Sequence, residues 1–117
     1  ERIYGLYKDA GLTPPNLKEV VGNIHDLPEK QVRQVINLLL QDKQLLKISE
    51  SLYFDADQID RLAQQVTKFI REHGEIDAPR FKELTGLTRK FSIPLMEYFD
   101  RIKLTLRIGD KRVLRKG

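Results

Sequence analysis

The chain has 117 residues, of which 40% are hydrophobic and 32% charged, and a net charge of +4. This is the composition of a globular protein, and the length allows one average domain or two small ones. The absence of cysteine excludes disulfides and thiolate metal sites, and His25 and His73 are too far apart in sequence to suggest a metal site. No apolar run approaches the roughly 20 residues that cross a bilayer, and no signal peptide is evident. We therefore expect a cytoplasmic protein with no membrane partner. Because the chain starts at Glu1 rather than Met, we also expect a fragment of a larger protein.

The charge is unevenly distributed along the chain. Residues 1–55 carry seven Lys and Arg against eight Asp and Glu, whereas residues 56–117 carry fourteen against nine. The excess is greatest from Arg80 onward, where eleven basic residues accompany four acidic ones. This distribution predicts an anionic partner for the last third of the chain. Composition alone leaves open the alternative that the basic surface serves solubility.

Two sequence patterns occur twice. The segment 15–20 (PNLKEV) is echoed 64 residues later by 79–84 (PRFKEL), and the segment 46–54 is echoed 60 residues later by 106–114. A shorter connection in the second copy explains the difference between the two offsets. The chain therefore consists of two diverged copies of one structural unit.

In the first copy, the hydrophobic spacing predicts helices over residues 3–11, 16–24 and 28–42, followed by a hairpin over 45–54. The third helix has an apolar stripe at helical spacing, which predicts a core-facing side. The stripe consists of Val32, Val35, Ile36, Leu39 and Leu40.

The second copy has the same order of signals. Its first helix is capped by Asp55 or Asp57 and ends at Gly74, and further helices are predicted over 78–84 and 88–100. Two strands follow, separated by a turn at 109–110, and the first has Leu104, Leu106 and Ile108 on its apolar face. This order predicts a mainly α fold with small β hairpins (α+β). It comprises two tandem winged-helix domains, residues 1–55 and 56–117.

The two predicted third helices begin differently. The first copy has Asp26 as a cap, Pro28 in the first turn and Glu29 beside the positive end of the helix dipole, a start that favours stability. The second copy has two cations there, which cost about 0.3 to 1 kcal/mol each unless an anion binds. A phosphate at this end would meet free N–H groups, the dipole and both cations. We therefore predict that nucleic acid contacts Leu87, Thr88, Arg89, Lys90, Phe91 and Ser92.

Further basic residues surround this helix in the sequence. We include them in the predicted site because cations of the helix and wing together suit the two strands of an RNA stem. They are Arg80, Arg101, Lys103, Arg107, Lys111 and Arg112. Phe91 is either a core residue or a platform for base stacking, and Pro94 is expected to bend the helix or delay its regular start. No catalytic constellation or phosphate-binding glycine loop is evident, so we expect neither enzyme activity nor a cofactor here.

Three segments carry a family resemblance: 74–83 (GEIDAPRFKE), 86–101 (GLTRKFSIPLMEYFDR) and 109–114 (GDKRVL). They closely resemble the C-terminal part of the bacterial SelB family, the selenocysteine-specific elongation factors. The resemblance covers the whole second copy, and the first copy fits the preceding winged-helix domain more loosely. It implies that the second copy binds the SECIS hairpin of selenoprotein mRNA through residues 87–92 and the basic wing. It also implies that GTP and selenocysteinyl-tRNA bind to upstream domains, that the ribosome is a partner, and that the protein is a monomer.

Two other functions are compatible with tandem winged helices. A DNA-binding regulator is expected to direct Asn, Gln or Arg from the middle of the third helix toward base edges, but residues 93–96 here are Ile-Pro-Leu-Met. A protein-interaction module remains an alternative for the first copy, whose net charge is −1. The first copy could equally be a spacer or an auxiliary contact.

Overall fold

The computed structural model describes residues 2–115. The chain divides into two compact units, residues 1–59 and 60–117. Each unit contains helices followed by an antiparallel hairpin, which confirms the predicted α+β, winged-helix fold. The division lies at residue 59, four residues beyond the predicted position and inside a helix that starts at Ala56. We describe this helix with the second unit, which contains most of its residues. None of the described helices is long and apolar enough to cross a membrane.

The first unit is built around one apolar core. Its elements are α1 (Arg2–Ala10), α2 (Leu17–Asn23), α3 (Glu29–Gln41), β1 (Leu45–Ser49) and β2 (Leu52–Asp55). Asn16 and Glu19 form a reciprocal capping box at the start of α2, which satisfies backbone donors that would otherwise lack partners. All five elements contribute to the buried cluster of Ile3, Tyr7, Leu17, Val20, Ile24, Val32, Ile36, Leu39, Leu45 and Tyr53.

The start of α3 differs from the prediction. Pro28 is the N-cap rather than a residue of the first turn, and it makes no side-chain capping bond. Asp26 does not cap the helix, because its carboxylate accepts two 3.0 Å hydrogen bonds from the guanidinium of Arg2. Within the predicted apolar stripe, Val35 and Leu40 are only partly buried. They lie on the edges of the stripe, where a helix that packs on one side leaves its neighbours half exposed.

The second unit adds a strand that the sequence did not predict. Its elements are α4 (Ala56–His73), β3 (Ile76–Asp77), α5 (Ala78–Thr85), α6 (Arg89–Arg101), β4 (Thr105–Ile108) and β5 (Lys111–Leu114). The antiparallel sheet has the order β3-β5-β4, so β5 is the central strand. With two residues, β3 is too short to show the alternating pattern by which a strand is recognised. It ties the segment before α5 to the wing.

The apolar face predicted for the first wing strand is wrong. Leu106 and Ile108 are 43% and 57% exposed, whereas Thr105 is buried. The Thr105 hydroxyl donates a 2.6 Å hydrogen bond to Asp100, which satisfies a polar group on the inner face of the sheet. Alternation along the strand then directs Leu106 and Ile108 outward.

Helix α6 runs without interruption from Arg89 to Arg101, with Pro94 inside it. The predicted delay of its regular start is therefore wrong. Proline lacks the N–H that would bond to the carbonyl of Lys90, but its fixed φ is compatible with helical backbone in an early turn. The helix thus continues through Pro94 and loses one hydrogen bond.

Candidate nucleic-acid interface

The N-terminus of α6 is open to a ligand. Thr88 is the N-cap, and its carbonyl accepts hydrogen bonds from the amides of Phe91 and Ser92 at 3.1 and 2.9 Å. Its side chain makes no capping bond, unlike that of Asp77, which caps α5 by accepting from the amide of Arg80. Only the amides of Arg89 and Lys90, the first two of α6, therefore have no intrahelical partner. They point, with the positive end of the helix dipole, toward the place where an anion would bind.

A groove lies between α6 and the wing, and we call it the recognition groove. Its volume is about 200 Å³, and it is lined by Ala78, Arg89, Ile93, Met96, Glu97, Arg107, Asp110 and Arg112. It combines one arginine of the helix with two of the wing. A second cavity, of about 370 Å³, lies between the starts of α5 and α6 and is lined by Ala78, Pro79, Lys82, Leu87, Arg89, Ser92 and Ile93. Arg89 lines both cavities.

The three arginines of the recognition groove differ in their availability. Arg112 is bound to Asp100, and the Nε of Arg107 donates to the carbonyl of Gly109 at 2.9 Å. Arg89 is exposed and has no ion pair within residues 2–115. Its guanidinium retains all five donors in a planar fork that suits a phosphate or a base edge. Arg89 is therefore the cation of the groove that is most available to a ligand.

Two of the predicted contact residues are buried. Leu87 and Ser92 are each 5% exposed and form part of the lining of the second cavity, so they shape that cavity and do not project toward solvent. Thr88 and Lys90 are exposed, as predicted. Phe91 is half-buried, and the Lys90 ammonium lies 5.4 Å from the centre of its ring, within the range of a cation–π contact. Phe91 is therefore neither a full core residue nor a free stacking platform.

Arg112 is the largest correction among the predicted wing contacts. Its side chain is only 9% exposed and forms an ion pair with Asp100 at 3.1 Å. The same carboxylate accepts the Thr105 hydroxyl bond at 2.6 Å. We call these three residues the wing latch. Arg112 was expected to be exposed because of its position near a turn, but it lies on the central strand β5 with its guanidinium paired to Asp100 of α6.

Two other predicted cations have partners nearby. Lys111 forms a 2.8 Å ion pair with Glu75, and this hydrogen bond raises the pKa of the Lys111 ammonium. Arg80 forms an ion pair with Asp77 at 3.3 Å. Both cations are about half exposed, so they remain accessible to RNA. An RNA phosphate at either position would compete with a carboxylate.

Arg101 and Lys103 lie away from the recognition groove. At 1.5 Å per residue, the twelve positions from Arg89 to Arg101 correspond to about 18 Å along α6. The Arg101 guanidinium lies 5.4 Å from the ring centre of Tyr98. The structure therefore divides the predicted site into one group of residues at the start of α6 and another at its end.

Seven further residues that line the two cavities were not among the predicted site residues. They are Ala78, Pro79, Lys82, Ile93, Met96, Glu97 and Asp110. Arg89, Ile93, Met96 and Glu97 follow the spacing of one helix face. Applied to the polar side of α6, that spacing would have identified Ile93 and Glu97.

Fold and groove together define a tandem winged-helix protein with a cationic site beside the third helix of its second unit. Residues 68–114 match the family model described as "Elongation factor SelB, winged helix". The selenocysteine-specific elongation factor of Desulfomicrobium baculatum is 41% identical over 110 residues, which are 94% of this chain and 17% of that protein. The corresponding factor of Escherichia coli (strain K12) is 31% identical over 87 residues, 74% of this chain and 14% of that protein. The chain belongs to the SelB family.

Two solved structures are similar over nearly the whole chain. One is the mRNA-binding domain of elongation factor SelB from E. coli in complex with SECIS RNA, with a TM-score of 0.80, 26% identity and coverage of 99% of this chain and 98% of that one. The other is a bacterial selenocysteine-specific elongation factor EF-Sec, with a TM-score of 0.77 and 20% identity, covering 99% of this chain and 19% of that one. The second likeness supports the fold alone. The chain spans 17% and 14% of the lengths of the two curated relatives.

Proposed function

We propose that the second unit binds the SECIS hairpin of selenoprotein mRNA at the recognition groove and the open start of α6. The observation that carries the proposal is the position of Arg89, an exposed cation without an ion pair within residues 2–115 that lines both cavities. Support also comes from the similarity to a SelB domain solved in complex with SECIS RNA.

The chemistry of the groove suits a hairpin with splayed bases. A phosphate at the start of α6 would accept hydrogen bonds from the free amides and from Arg89. Glu97 and Asp110 line the groove together with Arg89 and Arg107. Their carboxylates repel phosphates but accept hydrogen bonds from base amino groups. We therefore place the RNA backbone at the start of α6 and the edge of an unpaired base in the groove.

The middle of α6 argues against a DNA reader. Leu95 and Met96 are buried, and Pro94 is half-buried, so this part of the helix offers few polar groups to a major groove. The deep and narrow major groove of an RNA duplex would not admit the helix either. A hairpin loop, whose bases lie outside a regular duplex, avoids this restriction.

We also propose roles for the remainder of the system, from the names of the relatives and the share of them that is matched. GTP binding, GTPase activity and selenocysteinyl-tRNA binding would reside outside the matched segment, and the whole factor would act as a cytoplasmic monomer on the ribosome. The first unit, whose α3 begins with Glu29, would be a spacer or an auxiliary contact.

The test is a binding titration of the whole chain and of Arg89→Ala with three probes: an RNA hairpin, a matched DNA hairpin and a plain RNA duplex. If Arg89 contacts a loop base, its loss should weaken hairpin binding by about 1 to 3 kcal/mol and reduce discrimination between loop sequences. Arg61→Ala is the matched control, because Arg61 is an exposed arginine of α4 that lines neither cavity. Equal hairpin affinity of the two variants would contradict the proposal, as would equal affinity of the chain for all three probes.

A further inference from the structure

A third groove lies on the second unit, away from the recognition groove. One face of α4 forms most of it, and Leu104, just before β4, completes it. Its volume is about 570 Å³, and its lining is Ala63, Gln64, Thr67, Lys68, Arg71, Glu72 and Leu104. We call it the α4 groove. It shares no lining residue with either cavity at the start of α6.

The α4 groove and its immediate surroundings are cationic. Lys68 and Arg71 line it and are exposed, with Glu72 as the one carboxylate of the lining. Lys103, also exposed, precedes Leu104 in the chain, and the backbone amide of Arg115 donates to the Leu104 carbonyl at 3.1 Å. None of these four cations has an ion pair in the part of the chain that the structure describes. These four cations therefore outnumber the single carboxylate of the groove lining, that of Glu72.

The backbone at Lys103 adds an independent observation. Its φ is 66°, a left-handed conformation that is unfavourable for a residue with a side chain and that usually selects Gly or Asn after a helix. Glycine here would relieve the strain, yet the chain has a lysine. Lys43 has the same conformation after α3, with a φ of 61°. Lys103 directly precedes Leu104, the residue that completes the α4 groove.

We propose that the α4 groove binds the phosphate backbone of double-stranded RNA, as a second contact surface separate from the recognition groove. Long, flexible cations suit phosphates, which need charge and little directional precision. The Thr67 hydroxyl and the Gln64 amide line the same groove, and such groups bind phosphate oxygens and ribose 2′-hydroxyls. Recognition here follows duplex shape and charge, whereas the recognition groove reads a loop. The two surfaces together would hold one structured RNA at two places, or two RNA segments at once.

The experiment measures two RNAs against the same set of variants of the whole chain. The probes are a fluorescent RNA duplex without a loop and the RNA hairpin, each titrated over a range of salt concentrations. Lys68→Gln/Arg71→Gln should weaken duplex binding several-fold. It should also reduce the slope of log affinity against log salt by about 1.4 to 1.8, since each of the two lost phosphate contacts contributes about 0.7 to 0.9. Arg89→Ala should act in the opposite way to Lys68→Gln/Arg71→Gln and weaken hairpin binding far more than duplex binding.

Two controls separate a specific surface from general electrostatics. Arg61→Gln removes the same charge from the same helix outside the α4 groove, and it should weaken duplex binding less than Arg71→Gln does. Lys68→Arg/Arg71→Lys keeps both charges and should bind the duplex like the unchanged chain. Thermal unfolding should be similar for all variants, because the substituted side chains are exposed.

Several outcomes would overturn the proposal. The first is that the duplex does not bind to the chain at low salt. The second is that duplex affinity does not depend on Lys68 and Arg71. The third is that Arg61→Gln and Arg71→Gln lose equal amounts of duplex affinity. A poly-glutamate peptide that binds the α4 groove and is not displaced by the duplex would assign the surface to an acidic protein instead. Failure of the proposed hairpin function would appear separately, as hairpin affinity that does not depend on Arg89.

Discussion

The wing latch allows a sharp test of how the recognition groove is held together. In Asp100→Asn the side chain keeps its shape but loses its charge, which leaves the Arg112 guanidinium, 9% exposed, without a counter-ion. Removing one partner of a buried pair costs about 3 to 5 kcal/mol. The Asp100 side chain is 26% exposed, and solvent reduces the penalty. We therefore expect a loss at the lower end, about 3 kcal/mol.

Thermal denaturation of Asp100→Asn measures this loss. A unit of this size shifts its unfolding midpoint by about 4 to 8 °C per kcal/mol, so the second unit should melt about 12 to 24 °C earlier. The double variant Asp100→Asn/Arg112→Gln removes both charges and leaves neutral groups that hydrogen-bond to each other. It should recover part of the loss, because no unpaired charge stays buried.

Hairpin binding adds a second measurement on the same variants at a temperature where they are folded. Arg112 lines the recognition groove, while its partner Asp100 belongs to α6, so the latch fixes the wing to the helix. Loss of the wing latch should weaken binding of the hairpin more than binding of the plain duplex. Only the hairpin needs Arg89 and Arg107 to be held on opposite sides of the recognition groove. A free energy of unfolding of Asp100→Asn within about 0.5 kcal/mol of that of the unchanged chain, a normal value for an exposed site, would contradict this role of the wing latch. A double variant less stable than the single variant would contradict it as well.

Three smaller predictions follow from contacts elsewhere. Lys111→Ala should weaken binding of all RNAs about equally and only slightly, because Glu75 already pairs with this cation; titration with hairpin and duplex checks this, and a loss of affinity for the hairpin alone would contradict it. Tyr4→Phe removes a 2.8 Å hydrogen bond to Asp55 and should lower the free energy of unfolding by about 1 kcal/mol without changing hairpin affinity. Asp77→Ala removes the cap of α5 and should cost about 1 kcal/mol in thermal unfolding; an unchanged midpoint would mean that water replaces the cap.

Helices were predictable from the sequence because their signals are local. Apolar spacing and glycines placed α5 and α6 within one residue of their observed ends. The wing was less predictable, because the inward face of a short strand depends on what lies beneath it. Thr105 faces inward, where Asp100, five residues earlier on α6, accepts a hydrogen bond from its hydroxyl. A pattern based on hydrophobicity assigns this position to solvent.

The candidate site was predictable where charge conflicts with helix polarity. Arg89 and Lys90 stood out because cations are unfavourable at the start of a helix. Arg112 could not be separated from the exposed wing cations, since its burial depends on the pairing of Ile76 with β5. Glu97 could have been found from its helical spacing to Arg89. Asp110, thirteen residues further along the chain, joins the lining of the same groove only in the folded unit.

The missing side-chain cap of α6 makes stability and recognition compete for the same few amides. Thr88→Asp would place a carboxylate at the N-cap, where it accepts backbone bonds and suits the dipole. Such an internal anion would occupy the position proposed for an RNA phosphate, so a more stable unit would be a weaker RNA binder. Engineering that optimises every helix cap of this chain would then select against its ligand. A fold selected for stability alone is expected to have an acid at the start of this helix, as α3 has Glu29, and the chain has Thr88 followed by two cations.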